Sequence, residues 1–114
     1  MKRQPRVYVA GPYNGGGDKD IIKAVNWGDF LAVIGYVPFI PHLNHLWHLM
    51  NPHDSSFWRA WDMEWLYVCD AVYRLKGESD GADAEVAVAK EREIPVFTEL
   101  LDLEIWRRDV WSKL

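Results

Sequence analysis

The run Cys69-Asp70-Ala71-Val72-Tyr73-Arg74-Leu75-Lys76-Gly77-Glu78-Ser79-Asp80-Gly81-Ala82-Asp83-Ala84-Glu85 changes character twice. Ala71 to Leu75 is apolar and β-prone, Lys76 to Asp80 is polar, and an alanine-rich helix is expected from Gly81 to Arg92. Ile94-Pro95-Val96-Phe97 then reads as another strand. Strand, loop, helix and strand in that order make a β-α-β unit.

The same alternation extends toward the N-terminus. Arg6-Val7-Tyr8-Val9-Ala10 is a short strand stopped by Gly11-Pro12, and apolar residues at helical spacing run from Ile21 to Ile34. Asp18 or Asp20 is placed to cap that helix. Val37 to Pro41 reads as a second strand. His42 to Ser56 is irregular, with room for a helical turn or two at Leu43, Leu46 and Trp47. Phe57 to Cys69 reads as an amphipathic helix with Phe57, Trp61, Trp65 and Val68 near one face, and Glu99 to Trp111 closes the chain as a helix. The expectation is an α/β protein: a flavodoxin- or Rossmann-like three-layer fold with a mostly parallel sheet of four to five strands. Right-handed crossovers would cover both faces. Ligands of such sheets bind beyond the carboxyl ends of the strands. There the loops Gly11 to Gly17 and Leu75 to Asp80 and the His42 region should converge.

No repeat, low-complexity tract or linker interrupts residues 1–114, so one domain is expected. A hydrophobic content of 49% supports a core, and a net charge of −4 with scattered basic residues argues against a duplex nucleic-acid surface. One cysteine, Cys69, excludes an internal disulfide and fits a reducing compartment. No apolar run approaches the ~18 residues of a membrane span, and no signal-peptide apolar region follows the basic start, so a cytoplasmic location is expected.

Several residues suggest chemistry. Glu85 falls in the opening turns of a helix, where free N–H groups and the helix dipole favour a carboxylate. It either serves as an ionised nucleophile aimed into a cleft or simply favours that helix end and faces water. Gly81 lacks a Cβ, which would let a ligand approach the backbone. Asp70 opens an apolar strand, as an acid or as a local cap. Tyr8 is either a core aromatic or a site hydroxyl. Gly15-Gly16-Gly17 could cradle an anion, but it matches neither a dinucleotide fingerprint nor a Walker loop. His42-x-x-His45-x-x-His48 could bring imidazoles together on a helix, with Asp54 as a further metal ligand; without a tighter pair or a cysteine nearby, the expectation for these and His53 is pocket lining or loop hydrogen bonding. Neither a metal nor a cofactor is expected.

Taken together, these segments resemble the nucleoside 2-deoxyribosyltransferase superfamily, above all its 2′-deoxynucleoside 5′-monophosphate N-glycosidase branch. The likeness runs through Arg6 to Gly16, Asp62-Met63-Glu64-Trp65-Leu66, Cys69-Asp70-Ala71-Val72 and Gly81-x-x-x-Glu85-Val86. It extends to a short phage and bacterial family marked by Pro41-His42-Leu43 and by Gly77-Glu78-Ser79-x-Gly81-Ala82-Asp83-x-Glu85-Val86. The resemblance implies a small-molecule nucleoside or nucleotide as substrate. Glu85 would be the nucleophile at C1′, Asp70 the acid that helps the base depart, and Tyr8 the residue that orients Glu85. Gly11, Asn14, Gly15, Gly16, His42, Ser79 and Gly81 would contact the ligand. Pro12 and Asn14 stand where monophosphate-binding members carry a serine and an arginine, and Ala87 replaces a common glycine. The resemblance also implies a homo-oligomer, dimer or higher, for which Trp58, Trp106 and Trp111 look exposed enough. The alternative is a module that binds a nucleotide-like ligand or a partner in the same pocket without chemistry.

Overall fold

The computed structural model describes residues 3–14 and 17–114. Its elements are β1 (Arg6–Ala10), α1 (Asp18–Val33), β2 (Val37–Phe39), α2 (Asn44–Met50), α3 (Ser55–Leu66), β3 (Ala71–Arg74), α4 (Asp80–Glu91), β4 (Val96–Phe97) and α5 (Leu100–Asp109). Short 3₁₀ turns lie at Pro41–Leu43 and Trp111–Lys113. The four strands of the described residues are parallel, in the order β2-β1-β3-β4. The three-layer α/β architecture expected from the alternation is the one observed.

Side chains of a strand alternate between the two sheet faces, and β1 shows how this builds both halves of the core. Val7 and Val9 point to one face, where they join Ala24 and Leu31 of α1, Tyr73 of β3 and Leu103 of α5. Tyr8 and Ala10 point to the other, with Leu66 of α3, Val72 of β3, and Ala82 and Ala89 of α4. This alternation delivers the Tyr8 side chain to the α3–α4 face. Truncating a residue buried as deeply as Leu103 to alanine costs about 2–5 kcal/mol.

From β1 the chain crosses to β2 on one side, and the later strands add on the other. The order of the sheet therefore turns between β1 and β3, which opens a crevice at their carboxyl ends. The helical turn or two allowed for in the irregular stretch is a seven-residue helix, α2, preceded by the 3₁₀ turn. The aromatic face that makes α3 amphipathic in sequence is mostly outward in the structure, since Trp65 is 45% exposed and Leu66 fully buried. Aromatic neighbours compensate: Trp65 stacks on Phe39, and Trp47 of α2 packs edge-on against Phe57, Trp58 and Trp61.

The helix caps also differ from the expectation. Gly17 precedes α1 and neither Asp18 nor Asp20 caps it; Asp20 instead accepts a hydrogen bond from the Asn14 amide at 3.0 Å. The strands are shorter too, β2 ending at Phe39 and β4 beginning at Val96. Trp111 is buried and Trp106 lies between Phe97 and Trp111, so these two are not the exposed tryptophans the sequence suggested. No helix among the described residues is long and apolar enough to cross a membrane.

Candidate active site

A cleft of about 770 Å³ opens at the carboxyl ends of the strands. It lies within the range of small-molecule sites, roughly 300–1,000 Å³. One wall is α4. Its start is set by Ser79, whose Oγ accepts the Ala82 amide at 3.1 Å and caps the helix. The cap orients the first turns so that Gly81, Ala84, Glu85 and Val88 line the cleft. A Cβ built on Gly81 would meet only Ser79 Oγ, at 3.9 Å, so the backbone here is open to close approach.

Glu85 Oε2 accepts a hydrogen bond from the buried Tyr8 hydroxyl. Burial pushes the Glu85 carboxyl up to about 7, against the Tyr8 hydrogen bond and the positive charge of Arg74. Tyr8 is itself held far in its neutral form, by burial first and then by the charges of Glu85 and Asp62. It is thus a fixed donor.

Asp80 also lines the cleft, but the carboxyl there that burial raises along with Glu85 is Asp62, on α3. Burial and then the charge of Glu85 raise it to about 7, while the hydrogen bond from Asn44 Nδ2 at 2.8 Å opposes the rise. Two carboxyls raised this way facing one cleft can divide the work of ionised base or nucleophile and protonated acid. Glu85 has the better claim to the charge, because the Tyr8 hydroxyl and Arg74 both favour its ionised form.

Asp70 is elsewhere, which corrects the expectation that it shares a cleft with Glu85. It precedes β3, and its amide bonds the carbonyl of Arg6, the first residue of β1, at 2.8 Å. That is the amino edge of the sheet. Its carboxylate accepts Arg3 Nη1 at 2.6 Å, Arg3 Nη2 at 2.9 Å and the Arg6 amide at 2.7 Å. Burial favours its neutral form, but these donors outweigh burial and hold it below the usual carboxylate range. It is a structural clasp.

The remaining expected residues divide. Gly11, Asn14, His42, Ser79 and Gly81 line the cleft, and Gly15 and Gly16 fall outside the described residues. Gly11 is buried, and a Cβ there would press on Leu75 at 3.1 Å, so it serves packing between β1 and the loop after β3. His42 is buried; its Nε2 donates to the Pro12 carbonyl at 2.8 Å, leaving Nδ1 without a protein partner. Burial lowers its affinity for a proton. The other histidines are occupied locally. Tyr13 shares a hydrogen bond with His45 Nδ1 at 2.5 Å, His48 Nδ1 accepts from Trp58 Nε1 at 2.8 Å, and His53 stacks on Phe57. Among the described residues no three His, Cys, Asp or Glu side chains are grouped to hold a metal. Cys69 is buried and its thiol pushed up to about 12, which makes it a poor nucleophile.

Asp62, Asn44 and Trp58 are lining residues that the sequence reading did not assign. Asp62 had a usable signal. Asp62, Met63 and Leu66 fall at i, i+1 and i+4 on the side of α3 that meets the core, and a carboxylate on such a side calls for a reason.

A family profile described as a domain of unknown function (DUF7768) matches residues 5–99, a span that holds the four strands, the cleft and its two raised carboxyls, Asp62 and Glu85. The chain belongs to the DUF7768 family. No curated protein matches the sequence. Among solved structures, the DUF7768 chain is similar to a 2-deoxyribosyltransferase from Bacillus psychrosaccharolyticus. The TM-score is 0.62 at 19% identity, over 88% of this chain and 79% of that one. The likeness shows that the DUF7768 chain has a deoxyribosyltransferase-like fold.

Proposed function

We propose that the cleft cleaves, or transfers across, the N-glycosidic bond of a deoxynucleoside, nucleoside or nucleotide. The observation that carries this reading is the pairing of Glu85, fixed by the buried Tyr8 hydroxyl, with the second raised carboxyl of Asp62 in one cleft. The deoxyribosyltransferase-like fold supports it.

In this mechanism the Glu85 carboxylate attacks C1′ and forms a glycosyl ester while the C1′–N bond breaks. The bond's electron pair stays on the base nitrogen, which takes the proton of Asp62. Water or an acceptor base then attacks C1′ and gives its proton to the Asp62 carboxylate. Glu85 leaves as a carboxylate. Tyr8 positions Glu85 and keeps its charge on the attacking group. Reaction through a carboxylate ester needs no cofactor.

The test is incubation with a panel of nucleosides, 2′-deoxynucleosides and their 5′-monophosphates, with and without a second base, followed by chromatography for free or exchanged base. Release by the parent protein that Glu85→Gln abolishes is the expected result. A ligand that binds in the cleft while no panel member is turned over overturns the catalytic reading in favour of a binding module.

A further inference from the structure

Arg74, the last residue of β3, is not accounted for by Tyr8, Asp62 and Glu85. Its side chain is only 13% exposed, although it ends a strand at the mouth of the crevice. Its guanidinium donates to the Leu75 carbonyl through Nη1, and through Nη2 to the Gly77 carbonyl at 3.0 Å and to Asp83 Oδ1 at 2.9 Å. One planar fork thus joins the end of β3, the loop that follows, and the first turns of α4.

That loop is itself wedged. Gly77 has φ +120°, a conformation that L side chains rarely adopt, and a Cβ there would lie 2.8 Å from Pro12 Cγ. The loop after β3 therefore packs on the loop after β1, whose Pro12 carbonyl holds His42. The loops after β1 and β3 and the His42 segment are braced through this contact, and Arg74 ties the Gly77 side of it to α4.

We infer that Arg74 is a positioning residue for Glu85, fixing the loop and the start of α4 on which that carboxylate is mounted and holding positive charge behind it. This inference rests on the reading of Glu85 as nucleophile. The charged and titratable groups around Glu85 are Tyr8 from β1, Arg59, Asp62 and Tyr67 on and just after α3, Arg74 from β3, Asp80 and Asp83 from its own helix, and Tyr13, His42, His45 and His48 across the cleft. Arg74 is the cation whose charge acts on Glu85. Its charge favours the carboxylate in the attacking state, and again when that carboxylate departs from the glycosyl ester. Lysine could supply the charge but not the fork, since one ammonium cannot reproduce the planar set of bonds to three acceptors.

The experiment compares the parent with Arg74→Gln and Arg74→Lys through three readings: the pH profile of base release, the NMR titration of the Glu85 carboxyl (assigned with Glu85→Gln), and hydrogen exchange of the amides of residues 77–82. Arg74→Gln should raise both the acid limb and the Glu85 titration by about 0.5–1 pH unit. Arg74→Lys should leave the limb close to the parent's, lower kcat roughly tenfold with KM little changed, and speed exchange in the loop. An unchanged Glu85 titration in Arg74→Gln, or parental kcat and exchange in Arg74→Lys, overturns the inference. Should Arg74→Gln fail to fold, the Arg74→Lys readings decide. If the parent releases no base, the catalytic reading fails by itself, and the NMR and exchange readings still decide whether Arg74 holds Glu85.

Discussion

Replacing Asp62 with asparagine should make the protein more stable at alkaline pH, and the size of the gain follows from the carboxyl's surroundings. Asp62 moves from an ordinary 3.8 to about 7 on folding. Each pH unit of such a difference is worth about 1.4 kcal/mol, so the ceiling is about 4 kcal/mol. Solvent in the open cleft screens part of it, leaving about 2 kcal/mol.

The sign follows from the direction of the shift. A carboxyl raised by folding binds its proton more tightly in the native state, so the parent's stability from this group is full below about pH 4. It is lost as the pH rises toward 7. Asparagine keeps the shape, and its side-chain carbonyl can still accept the hydrogen bond from Asn44, but it carries no charge to bury. Urea unfolding followed by tryptophan fluorescence should find Asp62→Asn more stable than the parent by about 2 kcal/mol at pH 8, and by well under 1 kcal/mol at pH 4.5. The pH 8 difference corresponds to roughly 8 °C in Tm for a domain of this size. Comparing variant with parent at each pH cancels the titration of unrelated groups. Equal stability at pH 8, or a gain independent of pH, would refute the placement of Asp62 as a desolvated carboxyl facing Glu85.

Two other substitutions separate the site from its frame. Asp70→Asn should lower stability by about 1 kcal/mol at pH 7, because it weakens the clasp to Arg3 and the Arg6 amide, while base release by the folded protein is unchanged; a selective loss of turnover would return Asp70 to the chemistry. Tyr8→Phe removes the donor that favours the Glu85 carboxylate, so the acid limb of base release should move to higher pH and kcat should fall roughly tenfold, less than in Glu85→Gln. An acid limb that stays in place would show that the hydroxyl does not act on Glu85.

The sheet was legible because each strand is a short apolar run closed by glycine, proline or polar residues, and the helices between them leave only parallel pairing. The bond between Tyr8 and Glu85 joins residues 77 positions apart, yet both were marked by their elements, one on the first strand and one in the opening turns of α4. Asp70 misled because it sits beside an apolar strand, where a carboxylate needs a partner. The direction of that strand was the missing constraint. A residue just before β3 lies at the amino edge of a parallel sheet, away from the crevice, and its partner is Arg3 near the chain's beginning. Asp62 was hidden by the aromatic spacing of Phe57, Trp61 and Trp65, which mimics a core-facing stripe. Phe57 and Trp61 find company on Trp47 of α2 and Trp65 on Phe39 of β2, contacts that the spacing within α3 does not reveal, and so the opposite side of α3 is free to turn Asp62 into the cleft.

The role of Glu85 is tested most directly by trapping the glycosyl ester. A 2′-fluoro-substituted nucleoside slows both steps by destabilising the oxocarbenium-like transition state, and the intermediate accumulates when the leaving base is good enough. Peptide mass spectrometry after acid quench should find one sugar added to the peptide containing Glu85, and none in Glu85→Gln. Turnover of the parent substrate with the sugar attached to another residue, or with no covalent sugar at any time point, would contradict the account.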